Sequence, residues 1–282
     1  MKNRKSALEK RKVSKVGTVL ILVLMLWTAL PLYVMGIGAF KPSSSLMQLP
    51  PDLNPFNGEW AMKAMEVLFT KSDIILWLTN SFIIAVTVAA LTTIIGVTAG
   101  YAFARIRFYG AKILFALVIA TMIMPKAVLM IPNYLVAMNL GLTDTMIGVI
   151  LTTIGPSFAV FLARQCVQTL PHELFEAAEI DGASEPGKFI RIALPLTLPS
   201  MGTATIFAFF GAFNDYTWQL IMIRDRALQT VPIGISGLAS KYTGNLGIPL
   251  AGAFVVSVPM VIIFLLFQKV FVKGATVGAV KG

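Results

Sequence analysis

Residues 176–195 read EAAEIDGASEPGKFIRIALP, and two readings of that stretch lead to two different kinds of protein. Its middle, Gly182-Ala-Ser-Glu-Pro-Gly187-Lys188, has the spacing of a phosphate-binding loop, which would make the chain a nucleotide hydrolase. The surrounding residues oppose that. Such a loop needs Ser or Thr after its lysine to hold magnesium, and Phe189 stands there. Glu185 would set negative charge against the phosphates, and Pro186 removes one of the N–H donors that form the cradle. The element before Gly182 is patterned as a helix, and no strand-rich region elsewhere offers a nucleotide-binding sheet.

The context of the stretch decides the fold class. With 57% hydrophobic residues, 13% charged residues and a mean hydropathy of +0.81, the chain lies outside soluble globular usage, in which about a quarter of residues are charged. Several apolar runs reach the roughly 20 residues that a helix needs to cross about 30 Å of hydrocarbon, so the spans are helices and not barrel strands. The expectation is an all-α polytopic membrane protein with six transmembrane helices. They run from about Gly17 to Ile37, Trp77 to Ala104, Ile113 onward with breaks at Pro125 and Pro132, Thr145 to Phe161, Pro199 to Ile223, and Leu250 to Val272. The first is too long for the apolar core of a signal peptide and reads as a retained anchor.

Charge orients the bundle. Sixteen of the 23 Lys and Arg residues fall in the N-terminal tail, in alternate loops and at the C-terminus. The positive-inside rule makes that side, and both termini, cytoplasmic. The inner surplus equals the whole net charge of +10, so topology and anionic lipid account for the basic balance without a nucleic-acid partner. A single cysteine, Cys166, excludes an intramolecular disulfide, and with one histidine, His172, no zinc site can be assembled. Neither suggests redox or metal chemistry.

Residues 1–16 then form a basic cytoplasmic tail and 17–282 a single membrane domain, with an external loop at about 39–76 and an inside loop at about 165–195. The external loop turns helix-like at its end, with Trp60, Met65 and Leu68 as apolar contacts. Tyr33, Trp77 and Tyr101 suit interfacial aromatic belts. The run MPKAVLMIPNYLVAMNLGLTD, 124–144, reads as short broken segments lining an outward vestibule, with Lys126 either the charge near the membrane there or a residue snorkelling to the outer interface.

The inside loop carries helix signals. Pro171-His-Glu opens one helix, on which Leu174, Ala177 and Ala178 form an apolar stripe, and Gly182 ends it. Ser184, Glu185 and Pro186 open a second, with Phe189, Ile192 and Ala193 on one face and Pro195 at the turn into the fifth span. Taken singly, each residue also fits an ordinary amphipathic loop lying on lipid.

Taken together, the spacing E-A-A-x3-G-x9-I-x-L-P, filled by Glu176, Ala177, Ala178, Gly182, Ile192, Leu194 and Pro195, resembles the cytoplasmic signature of the membrane subunits of binding-protein-dependent ABC importers. The wider run 162–200, the run NSFIIAVTVAALTTIIGVTAGYAFARIRFYG at 80–110 and the C-terminal GATVGAVKG are similar to the carbohydrate branch, and among its members to the second permease subunit of maltose-type transporters. The resemblance implies a non-enzymatic permease subunit in a bacterial or archaeal cell membrane, with a two-helix cytoplasmic coupling loop. The implied partners are a second homologous permease, two copies of a cytoplasmic ABC ATPase and an extracytoplasmic sugar-binding protein. It implies no cofactor on this chain, since ATP is used by the ATPase. Glu176 would pair with an arginine of the ATPase, and Gly182 would set the bend between the two short helices.

In the fifth span, Asn214, Asp215, Trp218 and Gln219 are candidates for a substrate pathway, because amides and aromatic planes suit sugars; the same residues also suit an outer interface or interhelical hydrogen bonds. Alternatives in the same superfamily are permeases for amino acids, peptides or glycerol phosphate. A stand-alone secondary transporter is disfavoured by the loop, and by the lack of acidic residues other than Asp215 within the spans.

Overall fold

The computed structural model describes residues 15–57 and 60–277, apart from the side chains of residues 200 and 269–277. The basic tail at 1–14 and the side chains of the C-terminal GATVGAVKG stretch lie outside the described residues. Among those residues the regular structure is helical. Helix α1 (Lys15–Gly38) is followed by the short α2 (Ser43–Met47) and α3 (Lys63–Lys71), and then by the 32-residue α4 (Ile74–Arg105). Next come α5 (Ala111–Ile123), α6 (Lys126–Asn139), α7 (Met146–Thr153), α8 (Ser157–Gln168), α9 (His172–Ile180) and α10 (Glu185–Lys188). A π turn at Phe189–Ala193 continues into α11 (Leu194–Phe213), and α12 (Tyr216–Met222), α13 (Val231–Lys241) and α14 (Gly247–Val277) complete the chain.

Three helices are long and apolar enough to cross a membrane alone: α1, α4 and the Gly247–Gln268 part of α14. Three more candidates are bent pairs: α5 with α6 at 108°, α7 with α8 at 47°, and Glu185–Pro199 with Met201–Phe213 at 66°. Counting each pair as one span gives six. The expected span order is therefore present, but half of the spans are discontinuous.

Several expectations are corrected in detail. The chain breaks at Met124-Pro125, whereas Pro132 sits inside a continuous α6, so 126–139 is one helix and not a set of fragments. The fourth span extends to Gln168, well past Phe161. Pro195 makes no turn: α10, the π turn and α11 run on as one continuous helix, and the π turn, whose closing bond runs from Leu194 N–H to the Phe189 carbonyl, lies immediately upstream of the proline. Trp77 and Tyr101 are not belt residues; they are 5% and 4% exposed and face the interior. Helix α13 occupies a stretch to which the sequence reading gave no element.

Helix α4 is the axis of the bundle and packs against α7, α8, α11 and α13. Its contact with α8 depends on two glycines one turn apart. A Cβ at Gly96 would lie 2.4 Å from the Ala159 Cβ, and one at Gly100 would lie 2.4 Å from the Ala163 Cβ and 2.8 Å from the Arg164 nitrogen. Lipid tails are as apolar as leucine, so spans associate through close packing, and small residues let the backbones approach. Towards the start of α4 the core becomes aromatic, with Phe82 edge-on to Phe213 at 5.3 Å and Phe209 stacked on Phe213 at 6.0 Å.

The outer surface of α1 and all of α5 expose Leu, Ile and Val side chains, a surface that bilayer or partner helices would cover. At the α3 end, Met65 and Leu68 are buried against α14, as expected for that loop, while Trp60 stays half exposed beside Phe40. Lys41 is buried there, its ammonium 3.1 Å from the Asp52 carboxylate.

Candidate functional site

The loop between α8 and α11 is built from the backbone outward. Gly182 has φ +76°, a left-handed conformation that costs an L side chain about 1–2 kcal/mol. In that conformation it closes α9: the Gly182 N–H donates to the Glu179 carbonyl at 3.0 Å and the Ala183 N–H to the Ala178 carbonyl at 2.9 Å, the paired bonds of a Schellman stop. Ser184 then caps α10, its hydroxyl accepting from the Gly187 N–H. The two short helices meet at this glycine as the sequence implied.

Side chains lock the bend. The Lys188 ammonium sits between the carboxylates of Glu179 at 2.9 Å and Glu185 at 3.0 Å, joining α9 to α10. The lysine of the imitation phosphate loop is thus committed to the loop's own carboxylates. The Tyr101 hydroxyl, from α4, donates to the other Glu185 oxygen at 2.9 Å.

A second anchor comes from the last residue of α4. The Arg105 guanidinium donates to the Leu170 carbonyl at 2.7 Å and the Val167 carbonyl at 3.3 Å, and lies 2.9 Å from His172 Nδ1. It also covers the Phe175 ring at 4.0 Å. Phe175, 7% exposed, is the residue by which α9 enters the core, beside Tyr101, Val167 and Ala193. Sequence reasoning missed Arg105 and Phe175. The available signal was a cation at a helix C-terminus and an aromatic one turn into α9, and both are common enough to pass unremarked.

The opposite face of α9 is open. Leu174, Glu176 and Ala177 are exposed, Ala178 is half-buried and Ile180 is 87% exposed. Among the described residues the Glu176 carboxylate has no ion-pair partner. Ile192, Leu194 and Pro195 lie on the other arm, with Ile192 and Leu194 half-buried and Pro195 exposed. The seven motif residues thus divide into the outward side of α9 (exposed Glu176 and Ala177, half-buried Ala178), a bend (Gly182) and the arm that leads through the π turn into α11 (Ile192, Leu194, Pro195).

The second feature is a cavity of about 400 Å³ deeper in the bundle. Residues at three interruptions line it: Lys126 at the α5–α6 break, Ile154 and Gly155 at the α7–α8 break, and Asp215 at the α11–α12 corner, whereas the 66° bend at Pro199–Met201 does not. Its remaining wall is mostly apolar, with Thr92, Asn133, Thr152 and Thr153 as polar points. Of the four residues expected near a pathway, Asp215 and Trp218 line this cavity and Asn214 and Gln219 do not. Asp215 caps α12 by accepting from the Trp218 N–H at 3.2 Å, and the Trp218 indole N–H donates to the Thr152 hydroxyl at 2.9 Å. Gln219 is fully buried, donating to the Ala212 carbonyl at 2.7 Å and accepting from the Thr230 hydroxyl. It holds the α11–α12 corner together. Asn214 bonds back to the Phe210 carbonyl at 2.9 Å. Lys126 is exposed and lies on the cavity lining.

The chain is 35% identical to the arabinooligosaccharides transport system permease protein AraQ of Bacillus subtilis (strain 168), over 94% of this chain and 95% of that protein. It is 30% identical to the maltodextrin transport system permease protein MdxG of the same organism, over 96% and 98%. A crystal structure of a bacterial ABC transporter involved in the import of the acidic polysaccharide alginate contains a chain of the same fold, with a TM-score of 0.77 at 19% identity, covering 90% of this chain and 94% of that one. Residues 92–277, which include the whole bent loop and the three helix breaks, match the family described as binding-protein-dependent transport system inner membrane component, and the chain belongs to that family.

Proposed function

We propose that the chain is one of two membrane subunits of an ATP-driven importer for a sugar or oligosaccharide, with both termini cytoplasmic. A second, related permease supplies the other half of the pathway. Two copies of a separate ABC ATPase drive it, and an extracytoplasmic binding protein delivers the sugar. ATP is consumed by the ATPase, and this chain is not an enzyme. Similarity to relatives named for arabinooligosaccharides and maltodextrin supports the carbohydrate assignment.

The observation that carries the coupling role is the contrast across α9. One face is fixed to α4 by Arg105 and to α10 by Lys188, while the Glu176-Ala177-Ala178 face is exposed and free of ion pairs among the described residues. A short rigid helix with small residues can enter a groove, and an unpaired carboxylate on it can meet an arginine there. Movement of the ATPase would then pull α9 and tilt the spans attached to it. Asp215 and Trp218, at the α11–α12 corner of the penultimate span, would meet the solute.

The test is purification of the chain with the subunits encoded beside it, followed by uptake in proteoliposomes. Uptake that requires ATP and the binding protein supports the reading; uptake by this chain alone would sink it. Gly182→Asp and Glu176→Lys are expected to insert and assemble with the partner permease while hydrolysis becomes uncoupled from uptake. Normal transport in both would remove the docking role.

A further inference from the structure

Between α1 and α3 the chain turns back along the span it has just left. Asp52 is level with the residues that follow α1: its N–H donates to the Ser45 carbonyl at 3.0 Å, and its carboxylate meets the buried Lys41 ammonium at 3.1 Å. One residue later the Leu53 carbonyl accepts from the Tyr33 hydroxyl at 2.7 Å. Tyr33 stands well before Gly38, the end of α1, and side chains on a helix lean toward its N-terminus, so this hydroxyl does not climb past its own turn. By Ala61 the chain has come back up, the Ala61 N–H donating to the Phe40 carbonyl at 2.7 Å. Residues 53–57 therefore form a dip that descends beside α1.

The helix rise gives the depth. Tyr33 lies roughly 25 Å along the axis from Val16, where the apolar run begins, and the hydrocarbon of a bilayer is about 30 Å thick. With α1 as a span, Leu53 is thus level with the hydrocarbon edge and not in the water beyond it. The polar groups of the dip are engaged within it. The Asp52 carboxylate also accepts from the Asn54 N–H and the Asn57 amide, both at 3.0 Å, while the Asn54 side chain accepts from the Phe56 N–H and donates to the Asn57 side chain, both at 2.9 Å. This network fixes a tight turn from which Phe56 projects, 91% exposed. Asp52 is the one charge in residues 42–58, and Lys41 neutralises it. A lone exposed phenylalanine needs no explanation in water. One held at the depth of the hydrocarbon edge is different, above all beside an α1 whose side chains are exposed without interruption from Thr18 to Tyr33.

We propose that residues 53–57 are an interfacial anchor, with Phe56 inserted among the acyl chains of the leaflet at the C-terminal end of α1, which is the outer leaflet when both termini are cytoplasmic. The inference rests on α1 spanning the bilayer and is independent of the solute carried. Through the Lys41–Asp52 pair the anchor fixes the depth of the external loop that leads into α3.

The test uses the complete importer in nanodiscs of phosphatidylcholine and phosphatidylglycerol. In a Cys166→Ser background a nitroxide is attached at Phe56→Cys, at Leu22→Cys on α1 and at Ser44→Cys on α2. Its collisions with oxygen, which concentrates in the bilayer, are compared with those of a water-soluble nickel chelate. The label at residue 56 should favour oxygen as the one at residue 22 does, and the one at residue 44 should favour nickel. Burying a phenylalanine ring corresponds to about tenfold or more in an equilibrium, so Phe56→Ser should quicken amide exchange across 53–57 about tenfold, and Phe56→Leu should stay within about threefold of wild type. Nickel-dominated collisions at residue 56 would overturn the inference. So would a label shielded from both reagents, which would mean that the partner permease or the binding protein covers the dip. Unchanged exchange in Phe56→Ser would also overturn it, since the polar network alone would then hold the turn. A water-exposed label at residue 22 would overturn the span reading of α1 and this inference with it.

Discussion

Arg105→Gln should loosen α9 without unfolding the bundle, by an amount that can be worked from the contacts. The bond to the Leu170 carbonyl at 2.7 Å is charge-assisted and worth about 1.5 kcal/mol at the low end of such bonds. The cation–π contact with Phe175 at 4.0 Å adds about 0.5–1 kcal/mol. The Val167 bond is long at 3.3 Å and the His172 contact is exposed, so neither adds much. Together they give about 2 kcal/mol, or a shift of about 30-fold in the equilibrium between docked and released α9. Since α9 otherwise enters the core through Phe175 alone, that shift should appear as about 30-fold faster amide exchange confined to α9. The measurement is hydrogen exchange by mass spectrometry on the chain in nanodiscs without the ATPase. The full transporter should also hydrolyse more ATP per sugar imported. Arg105→Lys should behave almost like the Gln variant, because an ammonium cannot reproduce the planar fork that spans two carbonyls and an aromatic face. Exchange in α9 within about twofold of wild type would refute the anchoring argument.

Two further outcomes follow from the geometry. Gly100→Leu places a side chain where even a Cβ would lie 2.4 Å from Ala163, so α4 and α8 must separate; the chain should insert but fail to assemble, seen as loss of the monodisperse peak in detergent, whereas Gly211→Leu, which meets open space, should not. Asp144 accepts the Arg224 and Asp225 N–H groups at 2.8 Å, and these bonds, the Asp225 one first, hold its carboxyl below the usual 3.8. A carboxyl so depressed contributes stability above its unfolded value and loses it as pH falls below that value. Proteolysis of the α6–α7 connection should therefore be flat from about pH 8 to 5 and rise only below about pH 4; opening already between pH 7 and 5 would contradict the assignment, and Asp144→Asn should lose the dependence.

The helical class and the span order were legible because a bilayer demands long apolar runs and the chain provides them. The bounds of α9 were legible because Pro171 and Gly182 act locally: one cannot continue a helix backward and the other supplies the left-handed turn. The helix breaks were not. Pro125 and Pro156 flank breaks and Pro199 stands at a 66° bend, while Pro132 and Pro259 lie within helices, because neighbours decide whether a freed carbonyl is satisfied again. Trp77 and Tyr101 were misplaced for a related reason. An aromatic near the end of a span looks the same in sequence whether it faces lipid or core, and only the packing of Gly234 against Trp77 and of Glu185 against Tyr101 distinguishes them.

The bent loop and the cavity share their helices, and the packing decides how a displacement of one reaches the other. Thr92 and Arg105 lie on the same helix, thirteen residues or roughly 20 Å apart. Between them Gly96 and Gly100 bring α4 into close contact with α8, which carries the loop at its far end. The other arm of the loop is different. It enters α11 through a π turn and then a 66° bend at Pro199 to Met201, places where the helical hydrogen-bond ladder is already interrupted. A pull on α9 is therefore carried along α4 to Thr92 and along α8 as far as the 47° break that precedes it, and is absorbed by bending there and on the side that leads to Asp215. Opposite walls of the cavity would then shift relative to each other, so that a displacement at the bent loop changes the shape of the bundle interior.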